Sequence, residues 1–184
     1  MYEERRADEV LAVIPPGPED FDFDQIDCMP VGPEVSIADD FELLVESPCP
    51  VLEINGEDSN MVFFAQSTLP LINIHIKNIN KYISLSVSLT DDMGISRVIN
   101  FQSKRSVVTI DKNVTNLPIN IGEGWQFLCL DLRKLCNHAF GCNYAYCTEI
   151  VVHGSCRLSK VFYTAREFSD VELPSFLRVC QKEA

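Results

Sequence analysis

YISLSVSLTDDMGISRVINF, residues 82–101, alternates apolar and polar side chains on both sides of a short acidic break. Ile83, Leu85, Val87 and Leu89 fall on one face and Ser84, Ser86, Ser88 and Thr90 on the other, as a strand with one side against a core requires. Only one register puts all four apolar side chains inside. Asp91-Asp92-Met93-Gly94 supplies residue types that tolerate turn backbone, so a hairpin into residues 95–101 is expected.

Outward from this hairpin the chain keeps the same period in short runs. VLEI (51–54), NMVFFA (60–65), INIHIKN (72–78), SVVTI (106–110), WQFLCLDL (125–132), TEIVVHG (148–154) and CRLSKVFYT (156–164) all read as strands. LRKLCNHAF (132–140) reads as a helix, with Leu132, Leu135 and Cys136 on one face and Gly141 as its stop. Many short strands around one small helix imply an all-β fold, a β-sandwich or jelly roll with one or two short helices.

The formal charge of -12 is unevenly distributed. Residues 1–48 hold fourteen Asp and Glu against two Arg, while residues 49–184 hold thirteen acids and thirteen bases. The chain therefore divides into an acidic, proline-containing arm (1–48), a jelly-roll domain (49–180) and a short tail (181–184). The arm carries six prolines and interleaves its acids with Phe21, Phe23, Ile26, Phe41, Leu43 and Leu44. By itself such a segment is expected to be extended or disordered, with these side chains available to a partner, and helix character is limited to residues 8–14. Its charge repels nucleic acid and membrane phosphates, so neither is an expected partner. A charged start and the lack of any run of roughly 18 apolar residues imply a soluble, intracellular protein. Its eight cysteines are then expected as free thiols, and the sequon at Asn113 as idle.

CNHAFGCNYAYC, residues 136–147, concentrates Cys136, His138, Cys142 and Cys147, but the thiols lack the paired spacing of a zinc site. Buried thiols are the expectation; a zinc-binding adaptor would need at least three of the four to converge. Phosphate-binding, metalloprotease and nucleophile-elbow motifs are absent, and His75 and His153 fall within strands, so neither catalysis nor a cofactor is expected. Trp125, Phe63, Phe64, Phe162 and Tyr163 could line a sugar-binding face, which leaves a carbohydrate- or ligand-binding jelly roll as an alternative; core packing is the stronger expectation for each.

Residues 122–177 carry a distinctive order of pieces: Trp125 opening a strand, Phe140-Gly141-Cys142-Asn143-Tyr144, Cys156-Arg157, Val161-Phe162-Tyr163 and Glu172-Leu173-Pro174. VLEING (51–56), IKNINKY (76–82) and the Asp91-Asp92 turn precede them. In this order and spacing the chain resembles the cilia- and flagella-associated protein 20 family over about residues 50–178. The resemblance implies a jelly roll without turnover or metal, lining the inner junction of the ciliary doublet microtubule, with tubulin, other axonemal proteins and a junction protein as partners. It implies an address in the axoneme of the cilium or flagellum, with basal body or centriole as a related position.

Departures from the family pattern accompany the match. The family is strongly basic, whereas this domain is neutral. The arginine-rich strand after the Asp-Asp turn is reduced to Arg97, Lys104 and Arg105, and Ser159-Lys160 stands where the family has an arginine pair. Partner contacts are accordingly expected from Arg97, Lys104, Arg105, Asn143, Tyr144, Arg157 and Lys160, and from Phe21, Phe23 and Phe41 of the arm, whose acids suit a basic junction protein.

Overall fold

The computed structural model describes residues 8–17, 22–43, 49–56, 58–104 and 106–179, the side chains of Asn80 and Lys81 excepted. Its strands are β1 (Val10–Ile14), β2 (Cys28–Val31), β3 (Val35–Asp40), β4 (Cys49–Ile54), β5 (Asn60–Phe63), β6 (Leu71–Asp91), β7 (Ser96–Gln102), β8 (Thr109–Ile110), β9 (Val114–Pro118), β10 (Trp125–Asp131) and β11 (Tyr144–Thr164). One helix, α1 (Leu132–Phe140), separates β10 from β11, and 3-10 turns lie at Phe23–Gln25, Asp170–Glu172 and Ser175–Leu177.

β6 and β11 are each 21 residues long and antiparallel to one another. Straight strands of that length would reach roughly 70 Å, more than a chain of this size spans when folded, so both must bend. The bend has a visible cause. Gly154 pairs with Ile83 but Cys156 with Asn78, so residues 79–82 bulge opposite Ser155. Gly154 has φ +96°, and a Cβ there would lie 2.2 Å from the Tyr82 carbonyl oxygen. Only glycine fits. INIHIKN and YISLSVSLT, expected as separate strands, are thus two halves of β6, and TEIVVHG and CRLSKVFYT two halves of β11. The first half of β6 also pairs with β10 and the second with β7.

Both halves face one core. Ile72, Ile74 and Ile76 join Ile83, Leu85, Val87 and Leu89 there, packed with Ile150, Val152, Leu158 and Val161 of β11. This is the interior of an all-β sandwich, and the four apolar residues of 83–89 lie inside it as the alternation requires. On the opposite face a polar ladder crosses four strands: Ser86 donates to Asn100 (2.7 Å), Asn100 to Asn116 (3.1 Å) and Asn116 to Thr109 (2.9 Å). β7 and β9 pair in parallel, and β8 keeps only two residues of the strand expected over 106–110. α1 begins where Asp131 accepts a hydrogen bond from the Lys134 N–H (3.1 Å) and ends at Gly141, φ +67°. Leu132 and Cys136 are its buried residues.

The described parts of residues 1–48 are built into the sheet. β1 pairs with the end of β11, β2 with β5 and β3 with β4. Residues 10–14 form a strand where the sequence suggested helix character, because the edge of β11 offers partners to Val10, Leu11, Ala12 and Ile14, and a core to Val13 and Ile14. Val13, Ile14 and Ile26 are core residues, so removing residues 1–48 would take three strands and part of the interior away with the charge.

Candidate functional site

β3 ends at Asp40, whose side chain is almost wholly buried, and the charges of four strands gather around it. Its Oδ1 accepts from the backbone N–H groups of Glu42 (2.9 Å) and Leu43 (3.2 Å) and from the Trp125 indole (3.4 Å). Its Oδ2 takes the Arg157 Nη1 at 2.8 Å and lies 3.9 Å from the Lys77 Nζ. Arg157 reaches on to Glu53 (2.6 Å), and Lys77 to Glu42 (2.6 Å). Burial by itself would raise the Asp40 carboxyl; the Arg157 hydrogen bond, the two backbone donors and Lys77 outweigh it and hold the group below the usual carboxylate range.

Beside this cluster lies a cavity of about 280 Å³, walled by Glu42, Leu43, Cys49, His75, Trp125, Ser159, Lys160, Arg178 and Val179. Adjacent strands bring these residues together: Trp125 opposes Lys77, and Lys160 opposes His75, in the sheet. The His75 and Trp125 ring centres are 4.8 Å apart. His75 Nδ1 is 2.6 Å from Ser159 Oγ. Burial, aided by the Lys160 charge, pulls His75 down to about 4, so the ring is neutral at neutral pH and too weakly basic to serve as a general base there. Burial also lowers Lys160, whose ammonium donates to the Phe176 carbonyl at 3.1 Å.

The expected contact residues fall in two places. Arg157 and Lys160 border the Asp40 cluster and its cavity. At the other end of β6, Arg97 pairs with Asp91 (2.9 Å), donates to Asn113 (2.7 Å) and to the Lys112 carbonyl, and lies over the Phe140 ring. Asn143 donates to both Asp92 oxygens, at 3.2 and 2.8 Å. The Tyr144 hydroxyl donates to the Ser67 carbonyl at 2.7 Å and accepts from the Cys147 N–H at 2.8 Å. Lys104 stands over the Tyr82 ring, 4.3 Å from its centre. Phe23 packs partly against the core, Phe41 is 81% exposed, and Phe21 and Arg105 lie outside the described residues. Sequence reading missed Asp40 and Arg178, which carry no mark beyond ordinary polar residues in a strand or turn, and set His75 aside as a strand residue.

Of the clustered thiols, the Cys136 and Cys142 sulfurs are 3.5 Å apart. Burial, then the bond to Cys142, pushes Cys136 up to about 12. Cys147 turns elsewhere, donating to the Ser88 carbonyl (3.4 Å) and accepting from the Tyr163 hydroxyl (3.2 Å). Among the described residues no three His, Cys, Asp or Glu side chains are grouped closely enough to hold a metal ion. Phe63, Phe162 and Tyr163 are buried, so the five aromatics considered for a sugar-binding face form no exposed row.

Comparison with known proteins covers the same frame. Cilia- and flagella-associated protein 20 of Chlamydomonas reinhardtii is 27% identical over 134 residues, 68% of this chain and 70% of that protein. The protein of the same name from Caenorhabditis briggsae is 29% identical over 134 residues, 68% of this chain and 66% of its own length. A solved glycoside hydrolase domain, Endo-D of Streptococcus pneumoniae R6, aligns with 77% of this chain and 22% of its own, at 10% identity and a TM-score of 0.37. The CFA20 domain matches residues 51–181, from β4 through the last 3-10 turn. The chain belongs to the CFA20 domain family.

Proposed function

We propose that this protein is a non-enzymatic structural component of the ciliary or flagellar axoneme, packing against doublet microtubules at an inner-junction type of position and against neighbouring axonemal proteins. The observation that carries this reading is the family match across residues 51–181, joined to relatives whose names associate them with cilia and flagella. Physically, a sandwich whose two longest strands share one core is rigid, which suits a part that bridges neighbours under bending load.

The charge pattern qualifies the choice of contact. Arg97 and Arg157 are tied to Asp91 and Asp40 inside the protein, so little of their charge is offered outward. Lys104, Arg105, Asn143, Tyr144 and Lys160 remain the proposed contacts to an acidic partner such as tubulin. The acids of residues 1–48, with Phe21, Phe23 and the exposed Phe41, are the proposed contacts to a basic junction protein. No described helix is long and apolar enough to cross a membrane.

A tagged copy expressed in a ciliated cell tests the reading. It is expected along the cilium and, after detergent extraction, with the insoluble axoneme. A tagged protein that stays in the cell body, or is released fully by detergent, would overturn it.

A further inference from the structure

The cavity beside Asp40 is unevenly charged. Its volume of about 280 Å³ lies near the roughly 300 Å³ at which small-molecule sites begin and far above the roughly 30 Å³ share of one water. Trp125, Leu43 and Val179 give it apolar walls.

Its two inner cations differ from those of the neighbouring cluster. Arg157 and Lys77 are neutralised by carboxylates. Lys160 donates to the Phe176 carbonyl, and Arg178 donates from Nε to Leu173 (2.9 Å) and from Nη2 to Val171 (3.1 Å), both carbonyls. Carbonyl dipoles solvate a cation without cancelling its charge. Among the described residues neither cation has a carboxylate at ion-pair distance, and Glu42 on the same wall is held by Lys77. Burial lowers the proton affinity of Lys160, and the Cys49 and Asp170 charges offset that only in part.

His75 adds a third polar group. Its Nδ1 is engaged by Ser159, and Nε2 has no partner among the described residues. Among the described residues no buried side-chain nitrogen or oxygen is left unsatisfied, so Nε2 is open on the side of the cavity that the ring lines. In the tautomer in which Ser159 donates to Nδ1, Nε2 carries the proton and is a donor.

We propose that this cavity binds a small carboxylate attached to a flat or branched apolar group. The carboxylate lies between Lys160 and Arg178, and the apolar body lies on Trp125. The Nη1 group of Arg178, which has no partner among the described residues, offers N–H donors to a carboxylate, and the apolar walls reward a hydrophobic body that a phosphate would lack. The same chemistry is presented by a free small acid and by the carboxy-terminal residue of a polypeptide.

Trp125 is the chain's only tryptophan, so its fluorescence reports on this cavity directly. Full-length protein would be titrated with 3-phenylpropionate and with acetyl-Gly-Phe bearing a free carboxylate, each beside its amide. A saturable fluorescence change is expected for the acids, with amides at least about tenfold weaker and with Lys160→Met or Arg178→Gln weakening binding by about tenfold or more. Tighter binding of 3-phenylpropionate identifies a free acid as the source, and tighter binding of the peptide a chain terminus; either supports the site. If Lys160→Met fails to fold, as judged by circular dichroism, Arg178→Gln decides. The proposal fails if acids and amides bind alike, if neither acid changes the fluorescence at 10 mM (about a hundredfold above an assumed ~0.1 mM Kd), or if folded variants bind as the parent does. The test does not depend on where the protein sits in the cell, so its failure leaves the axonemal reading standing.

Discussion

Asp40 and Asp91 are built alike. Each ends a strand, turns Oδ1 to backbone N–H groups of the following turn and gives Oδ2 to an arginine. Asp91 receives Met93 (3.0 Å) and Ile95 (2.8 Å) on one oxygen and Arg97 (2.9 Å) on the other. Asp40 receives Glu42 (2.9 Å) and Leu43 (3.2 Å), then Arg157 (2.8 Å). What differs is reach. Asp91 finds its arginine 6 positions away, whereas Asp40 finds Arg157 at 117 positions and Trp125 at 85. The first tightens a hairpin that strand pairing already holds. The second fastens β3 to β6, β10 and β11, and a contact that closes so long a loop has to outweigh a larger ordering entropy.

Replacing each by alanine is the most severe test of that difference. Asp40→Ala takes a buried carboxylate from Arg157, which keeps Glu53, and from Lys77, which keeps Glu42, and strands an indole N–H and two backbone donors; it is expected to lower stability by about 3 kcal/mol. Asp91→Ala strands one cation, which keeps Asn113 and the Lys112 carbonyl, and should shift the urea midpoint less. Equal shifts would mean that distance along the chain does not matter here.

The same contrast explains what the sequence could tell. Asp91 was legible because its partners lie within the quoted hairpin, and the period-two pattern on either side fixed which residues face the core. α1 was legible for the same reason, its capping aspartate and closing glycine both being adjacent to it. Asp40 was one of fourteen acids in a segment whose composition suggested an arm extended or disordered by itself. Nothing local separates an aspartate that will meet Arg157 from one that will meet water. The cavity was hidden likewise, since His75, Trp125, Lys160 and Arg178 converge only through the pairing of β6 with β10 and β11. The continuity of β6 was missed because a bulge at 79–82 looks, in sequence, like the end of one strand and the start of another.

Acid should act in two windows, the first at His75 beside Asp40 and the second at both aspartates. His75 sits at about 4 in the folded protein against an ordinary 6.5, so the unfolded chain takes up the proton first. Stability is therefore expected to fall by roughly 1–3 kcal/mol as pH drops from about 6.5 to about 4, and His75→Gln should flatten that portion. Both aspartates are held below the ordinary carboxylate range, so their contribution is complete above about pH 4 and is lost as pH falls further, through their folded values. Urea midpoints measured from pH 8 to 3 would show it. A first window that survives His75→Gln would place the proton uptake elsewhere.

Asparagine asks a finer question, because it keeps an accepting oxygen while removing the charge. For Asp91 the strongest influence on the carboxyl is the Ile95 N–H, ahead of Arg97. For Asp40 the strongest influence opposing burial is Arg157. Asp40→Asn is thus expected to cost about 1 kcal/mol or more, and Asp91→Asn to be the milder of the two in the same urea titration. The reverse order would show that turn capping, not ion pairing, is what Asp40 supplies.

The smallest effect is expected one turn away from Asp40. Glu42 pairs with Lys77 at 2.6 Å, shorter than any contact Asp40 makes, yet its side chain is 65% exposed. In water such a pair gains little, because solvent screens the charges and two long side chains must be held in one geometry. Glu42→Gln should therefore change stability by no more than about 0.5 kcal/mol, and less still in 1 M salt, where screening acts over about 3 Å. Asp40→Ala should keep most of its effect at that salt, since its carboxylate is out of contact with solvent. A loss at Glu42 comparable to that at Asp40 would mean that the cluster acts as a single network, and that burial of one carboxylate is not what anchors β3 to the sheet.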